Sequence, residues 1–146
     1  MIEVRKIAVE GVGPWLWPKQ DANGWNEIAR EFPALRDLIL EHTPRRKVMV
    51  QAGGCCGMYP RLFAKDFETI YTFEPDHTNF RCLVANCESD RIIKIQAALS
   101  DKSGTCSIKR GPDAIVGMHR IGELEGTIPL LPLDALNLPA LDVMQL

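Results

Sequence analysis

The clearest pattern lies in the middle of the chain. Val48-Met49-Val50, Ile70-Tyr71-Thr72-Phe73 and residues 92–95 are short apolar runs, too brief for ordinary helices and too uniformly apolar for a half-exposed sheet. Such runs suit strands covered on both faces. Between the last two, Phe80, Leu83, Val84 and Cys87 recur at i, i+3, i+4 and i+7, the spacing of one helix face, with Asp76 placed as its N-cap. Strands that alternate with helices predict a parallel α/β sheet.

Outside this stretch the pattern is looser. Residues 2–9 alternate enough for a short strand, ended by Gly11, Gly13 and Pro14. Trp15-Leu16-Trp17-Pro18 reads as a connection, followed by a polar turn through Asp21, Asn23 and Gly24. Pro33 is expected to split the next helical stretch, after which Leu35, Leu38, Ile39 and His42 share a face. A helix is expected near residues 59–65. Beyond Leu99 the reading is a turn at 101–104, a strand at 105–109 and a glycine-rich loop at 111–126. Residues 128–133 then extend, 134–136 form one helical turn, and 141–146 form another buried strand. There is no repeat or linker, so residues 1–46 read as a segment packed on a core domain of residues 47–146.

Composition narrows the class. At 146 residues, 46% hydrophobic and 25% charged, the chain is an ordinary globular one with material for a single core. Its net charge of −2 offers no bulk positive field for nucleic acid or anionic lipid. The most apolar stretches, 48–59 and 128–146, are broken well short of the ~20 residues of a spanning helix. Glu3, Arg5 and Lys6 stand where a signal peptide would be apolar, so the chain reads as cytoplasmic. The five cysteines form no C-x-x-C and the three histidines no H-x-x-x-H, which predicts reduced thiols and no structural zinc.

The candidate chemistry starts where the strand at 48–50 runs into Gln51-Ala52-Gly53-Gly54-Cys55-Cys56-Gly57. Glycines after a strand let backbone approach a ligand, though the same turn also serves as a plain connection. Glu74 ends the next strand 21 positions after Gly53, where nucleoside-binding folds place a carboxylate that accepts two hydrogen bonds from a ribose diol. The two together predict a nucleoside-containing ligand. A dinucleotide fingerprint needs G-x-G-x-x-G, whereas Cys55 stands two places after Gly53 and Gly57 four places after, so the pyrophosphate spacing is wrong.

These residues resemble a known family. Residues 51–57 are similar to the D-x-G-A-N-x-G motif of FkbM-type S-adenosylmethionine-dependent methyltransferases, and Phe73-Glu74-Pro75-Asp76 with Asn79, Leu83 and Asn86 to its F-E-P…N…L…N segment. Ala98-Leu99-Ser100-Asp101 with Gly104 resembles its next block, and Pro132-Leu133-Asp134-Ala135-Leu136 a later L-D-x-L. Residues 141–146 resemble the opening of a strand that continues in the family as acidic-x-E-G. The likeness spans about residues 47–146.

The resemblance implies a Rossmann-like class I methyltransferase fold, a mostly parallel sheet with helices on both faces, lacking its C-terminal strands. The strand at 47–51 would be central, those at 70–73 and 92–95 on one side of it, and 141–146 on the other. It further implies S-adenosyl-L-methionine as cofactor, with Gly53, Gly54 and Gly57 along its methionine and ribose part and Glu74 on the ribose diol. Pro75 and Asp76 would flank the adenosine, with Ala98 and Leu99 near the adenine. Gln51 replaces the family's aspartate, so a charge-assisted contact to the cofactor's ammonium of roughly 1.5–3 kcal/mol becomes a neutral one nearer 1. Cys55 stands in place of an asparagine. The implied reaction is O-methylation of a sugar or small-metabolite hydroxyl, with no base legible. The alternatives are a cofactor-binding remnant without turnover and a nicotinamide-linked oxidoreductase fragment.

Three other features carry weaker readings. Cys55-Cys56 reads as small packing residues rather than reactive thiols, and His77 as a solvated helix-start histidine. Trp15, Trp17 and Trp25 read as core or lid packing before an acceptor pocket. An apolar edge at 141–146, with Leu141, Val143, Met144 and Leu146, predicts association with a second copy.

Overall fold

The computed structural model describes residues 3–9, 12–21, 24–111 and 116–146. The positions expected at Ile2, Gly11 and Asn23, and residues 112–115 of the glycine-rich stretch, lie outside the described residues.

The chain opens with an antiparallel hairpin, β1 (Val4–Val9) and β2 (Gly13–Pro18), in which Arg5 faces Trp17 and Ile7 faces Trp15. The expected Trp/Pro connection is therefore a strand. Its signal is the period of two: Trp15 and Trp17 are buried on one face against Cys56, Met58 and Cys82, with Leu16 between them turned the other way. Asn86 locks the hairpin down, accepting from the Leu16 N–H at 2.7 Å and donating to the carbonyls of Leu16 and Cys56.

Helix α1 (Gly24–His42) runs unbroken through Pro33, where the sequence predicted a break. Pro33 lies on the exposed side, and tertiary contacts hold the helix before and after it. Phe32 packs 4.9 Å from the Phe63 ring, Arg36 grips Asp66 with two hydrogen bonds, and Ile39 and Leu40 join the same apolar cluster. Those contacts offset the one helical hydrogen bond that proline forfeits. The packed stripe thus passes through Phe32, Ile39 and Leu40, whereas Leu38 and His42 of the expected face are exposed.

The central sheet is parallel, with order β11-β3-β4-β5. Its strands are β3 (Val48–Ala52), β4 (Thr69–Phe73), β5 (Ile92–Ile95) and β11 (Val143–Gln145), so β3 is central and β11 lies on its far side as expected, though shorter than 141–146. Asp142 sets the last pairing: its backbone N–H donates to the Val48 carbonyl, and its carboxylate accepts from the N–H groups of Lys47 and Val48 and from Arg45. Helices α2 (Met58–Phe63) and α3 (His77–Asn86) connect the strands, α3 capped by Asp76.

Among the described residues no α-helix packs on the second face, so the expectation of helices on both faces is not met. Met49, Ile70 and Ile92 turn toward the face that carries α1, α2 and α3. Val50, Tyr71, Phe73 and Ile95 turn to the other, where leucines at 99, 131, 133, 136 and 138 cover them. Leu99 and Leu131 come from a second, three-stranded sheet, Leu133 and Leu136 from a 3-10 turn (Leu133–Leu136), and Leu138 from the segment just after it. That sheet has order β6-β10-β7, from β6 (Ala98–Ser100), β7 (Gly104–Cys106) and β10 (Ile128–Pro132). The chain after β5 has no helical period, so short strands do the covering. The expected strand at 105–109 is divided: Thr105 and Cys106 belong to β7, while β8 (Ile108–Lys109) pairs with β9 (Arg120–Ile121) as a separate hairpin. Among the described residues no helix is long and apolar enough to cross a membrane.

Candidate functional site

The site is built where β3 and β4 end side by side. After Ala52 the backbone turns sharply, with left-handed conformations at Gly53, Cys55 and Gly57, and the N–H groups of Gly53 and Gly54 both donate to the Phe73 carbonyl at 2.9 and 2.8 Å. That closure brings the loop against Glu74. One carboxylate oxygen of Glu74 accepts from the Cys55 N–H and the other from the Asp76 N–H, each at 2.7 Å, and the Asn79 side chain adds a further bond. The side chain is buried, 4% exposed. Burial pushes its pKa up to about 7 although the N–H groups of Asp76 and Cys55 pull the other way, so Glu74 changes charge near neutrality.

Glu74 forms part of the wall of a mostly apolar cavity of about 590 Å³. The strand ends supply one side through Gly53, Glu74, Pro75 and Met144, and Ala98, Leu99 and Asp101 supply another. A roof comes from the β8–β9 region, with Ile108, Gly117, His119 and Ile121. The cavity opens at the carboxyl ends of β3, β4 and β11, where strand order reverses across β3, which is the usual ligand position in open α/β sheets.

Six of the sequence-predicted site residues line this cavity: Gly53, Cys55, Glu74, Pro75, Ala98 and Leu99. Four do not. Gln51 is buried beneath the loop, its carbonyl accepting from the Thr72 hydroxyl at 2.7 Å and its amide donating to the Gly53 carbonyl at 3.0 Å. It shapes the loop from within the sheet layer. A Cβ on Gly54 would collide with the Thr72 hydroxyl and a Leu83 methyl, and one on Gly57 would come within 2.6 Å of the Cys87 sulfur. Both glycines exist for close packing on α3. Gly54 also borders a smaller cavity of about 210 Å³ that shares Gly53, Cys55 and Gly117 with the large one.

Asp76 faces away from the large cavity's wall and does two structural jobs. It caps α3 by accepting from the Thr78 and Asn79 N–H groups, and it ion-pairs with Arg110 at 3.1 Å. Burial opposes its charge, but the Asn79 N–H, Arg110 and the Thr78 N–H hold its carboxyl below the usual range. The pair anchors the roof to the start of α3.

His119 is the cavity residue that sequence reasoning missed. It lines the cavity, its Nδ1 is buried without a hydrogen-bond partner, and that nitrogen is 3.7 Å from Asp76. Nothing local signals it, since it sits in an aperiodic glycine-rich stretch far along the chain from Asp76. His77 is exposed. Trp17 borders the smaller cavity, while Trp15 packs under Arg61. Burial pushes the Cys56 thiol well up, which suits a packing role. Among the described residues no group of three or more His, Cys, Asp or Glu side chains is placed to hold a metal ion. In comparisons with known proteins, no family model matches the chain and no curated protein matches it.

Proposed function

We propose that this chain binds S-adenosylmethionine in the large cavity and transfers its methyl group to a hydroxyl of a sugar or small metabolite. On this reading the four parallel strands are the core of a Rossmann-like class I methyltransferase sheet of the FkbM type. The observation that carries it is the meeting of the glycine loop with Glu74: a carboxylate at the end of β4, bonded to the Cys55 N–H, keeps lone pairs for a diol beside a backbone that has no Cβ at Gly53. At Gly53 nothing lies within 4 Å of where a Cβ would stand, so a ligand has room to approach the loop. Ala98 and Leu99 offer apolar surface suited to a purine, and a volume of about 590 Å³ is within the common range for cofactor sites.

The cofactor supplies an activated methyl carbon. The chain's residues hold and align: Glu74 takes the ribose, the Gly53–Cys55 turn lies along the methionine side, and the roof excludes water. Gln51 makes no direct contact in this scheme, because its amide is already used by Thr72 and Gly53.

Calorimetric titration of the full chain with S-adenosylhomocysteine and, separately, with NAD tests the proposal. S-adenosylhomocysteine should bind and NAD should not, and Glu74→Ala should weaken binding about a hundredfold through loss of charge-assisted hydrogen bonds. Equal affinity for both ligands, or a Glu74→Ala chain that folds and binds unchanged, defeats it.

A further inference from the structure

We infer that His119 is the catalytic base of this cavity, taking the proton from the acceptor hydroxyl, with Asp76 as the residue that positions its ring. The inference rests on the methyl-transfer reading above and supplies what that reading lacks. When an acceptor oxygen takes the methyl carbon, the carbon–sulfur bond breaks and its electron pair stays on sulfur. The hydroxyl proton must then go to a base within reach.

Three observations assign that role to His119. The ring forms part of the wall of the same cavity that Glu74 lines. Its Nδ1 is shut off from solvent, has no hydrogen-bond partner, and is 3.7 Å from an Asp76 carboxylate oxygen, which leaves Nε2 to serve a ligand. Asp76 is itself fixed, by the α3 N-terminus and by Arg110. A proton on Nδ1 directed at Asp76 selects the tautomer with a bare Nε2. Hydrogen bonds at such pairs are commonly long before ligand binds and tighten afterwards.

The charged surroundings agree. Burial pushes the His119 pKa down and Arg110 adds to that, while Asp76 opposes both, so the ring is neutral and able to accept a proton at neutral pH. Among the described residues, the other titratable or charged side chains lining the cavity are Cys55, Glu74, Asp101 and Arg120. Glu74 accepts from the Cys55 and Asp76 N–H groups and, on the reading above, its remaining lone pairs go to the ribose diol.

The test joins a ligand-free signature with turnover. Ring 15N correlation spectra of the full chain, with His119 assigned by its loss in His119→Gln, should show the Nδ1–H tautomer and a midpoint below 6.5. Asp76→Asn, which can still cap α3, should shift that tautomer balance. With radiolabelled S-adenosylmethionine and a set of methyl glycosides as hydroxyl probes, His119→Gln should lose about 10²–10⁴-fold in kcat while keeping S-adenosylhomocysteine affinity within about twofold. An Nε2–H tautomer, a His119→Gln chain that transfers methyl at the wild-type rate, or a wild-type chain that binds S-adenosylhomocysteine and methylates none of the glycosides overturns the assignment. Absence of S-adenosylhomocysteine binding to the wild-type chain instead fails the cofactor reading itself.

Discussion

The two sides of the large cavity are held by different physics. On the strand-end side, Gly53, Cys55 and Glu74 are fixed by backbone hydrogen bonds and by parallel pairing of β3 with β4, over a core in which Met49, Val50 and Ile70 are fully buried. On the roof side, the β8–β9 hairpin has two residue pairs and is tied to the rest by Arg110, whose side chain is 56% exposed, on Asp76. The first side has little freedom to change shape without unfolding. The second rests on fewer interactions, those two pairs, the backbone bonds of Ser107 with Gly122 and Glu123 and the Arg110 ion pair, so it is expected to open before the strand-end side does.

Four experiments break or sharpen that contrast. The largest effect is expected at Gly57, where φ is +85° and a side chain would meet Cys87 and the Leu83 backbone. Gly57→Val should lose about 4 kcal/mol of stability in urea unfolding, from overpacking and left-handed strain together.

Next comes Glu74, whose folded-state pKa stands at about 7 against an ordinary 4.5. The folded chain holds this proton more tightly than the unfolded one, so stability falls as pH rises from 4.5 to about 7, by about 3 kcal/mol, and then levels off. Glu74→Gln should flatten that slope in melts across the window. On the proposed reading the ionised form accepts the diol, so S-adenosylhomocysteine affinity should rise about tenfold from pH 6 to pH 8 in the wild-type chain.

A smaller change is expected at Gly53, which has φ +80° but open space around it. Gly53→Ala should cost about 1–2 kcal/mol of backbone strain and no packing. A loss as large as that of Gly57→Val would erase the distinction between the ligand-facing and core-facing glycines.

The smallest global effect belongs to Arg110→Met. An ion pair with one exposed partner is worth less than about 1 kcal/mol, so the melting temperature should barely move. Amide exchange at residues 108–111 and 116–121 should nevertheless quicken, while protection in β3 and β4 stays unchanged.

Particular residues show where sequence reasoning held and where it failed. The strands expected at 48–50, 70–73 and 92–95, the Asp76 cap of α3, and the placing of Glu74 beside the glycine loop were legible, because each rests on local periodicity or on a short spacing; of the expected α3 face Leu83 and Cys87 are buried but Val84 is exposed. The same local logic broke α1 at Pro33, where contacts from Phe63 and Asp66 outweigh the missing N–H. It also read Trp15 to Pro18 as a connection, by giving proline and aromatic content more weight than their alternation.

The amino-acid sequence by itself thus determined the parallel core and the Glu74 carboxylate beside a glycine turn, while the strand order around β3 was expected only through the family resemblance. Tertiary structure alone decided which glycines face the cavity and which face α3: Gly53 has open space beside it, whereas Leu83 stands against both Gly54 and Gly57. It also decided that Gln51 bonds inward and that His119 meets Asp76. Those pairings join residues 21 and 43 positions apart in the chain, Gln51 with Thr72 and Asp76 with His119. No periodicity encodes such a meeting, because it depends on how separate elements pack.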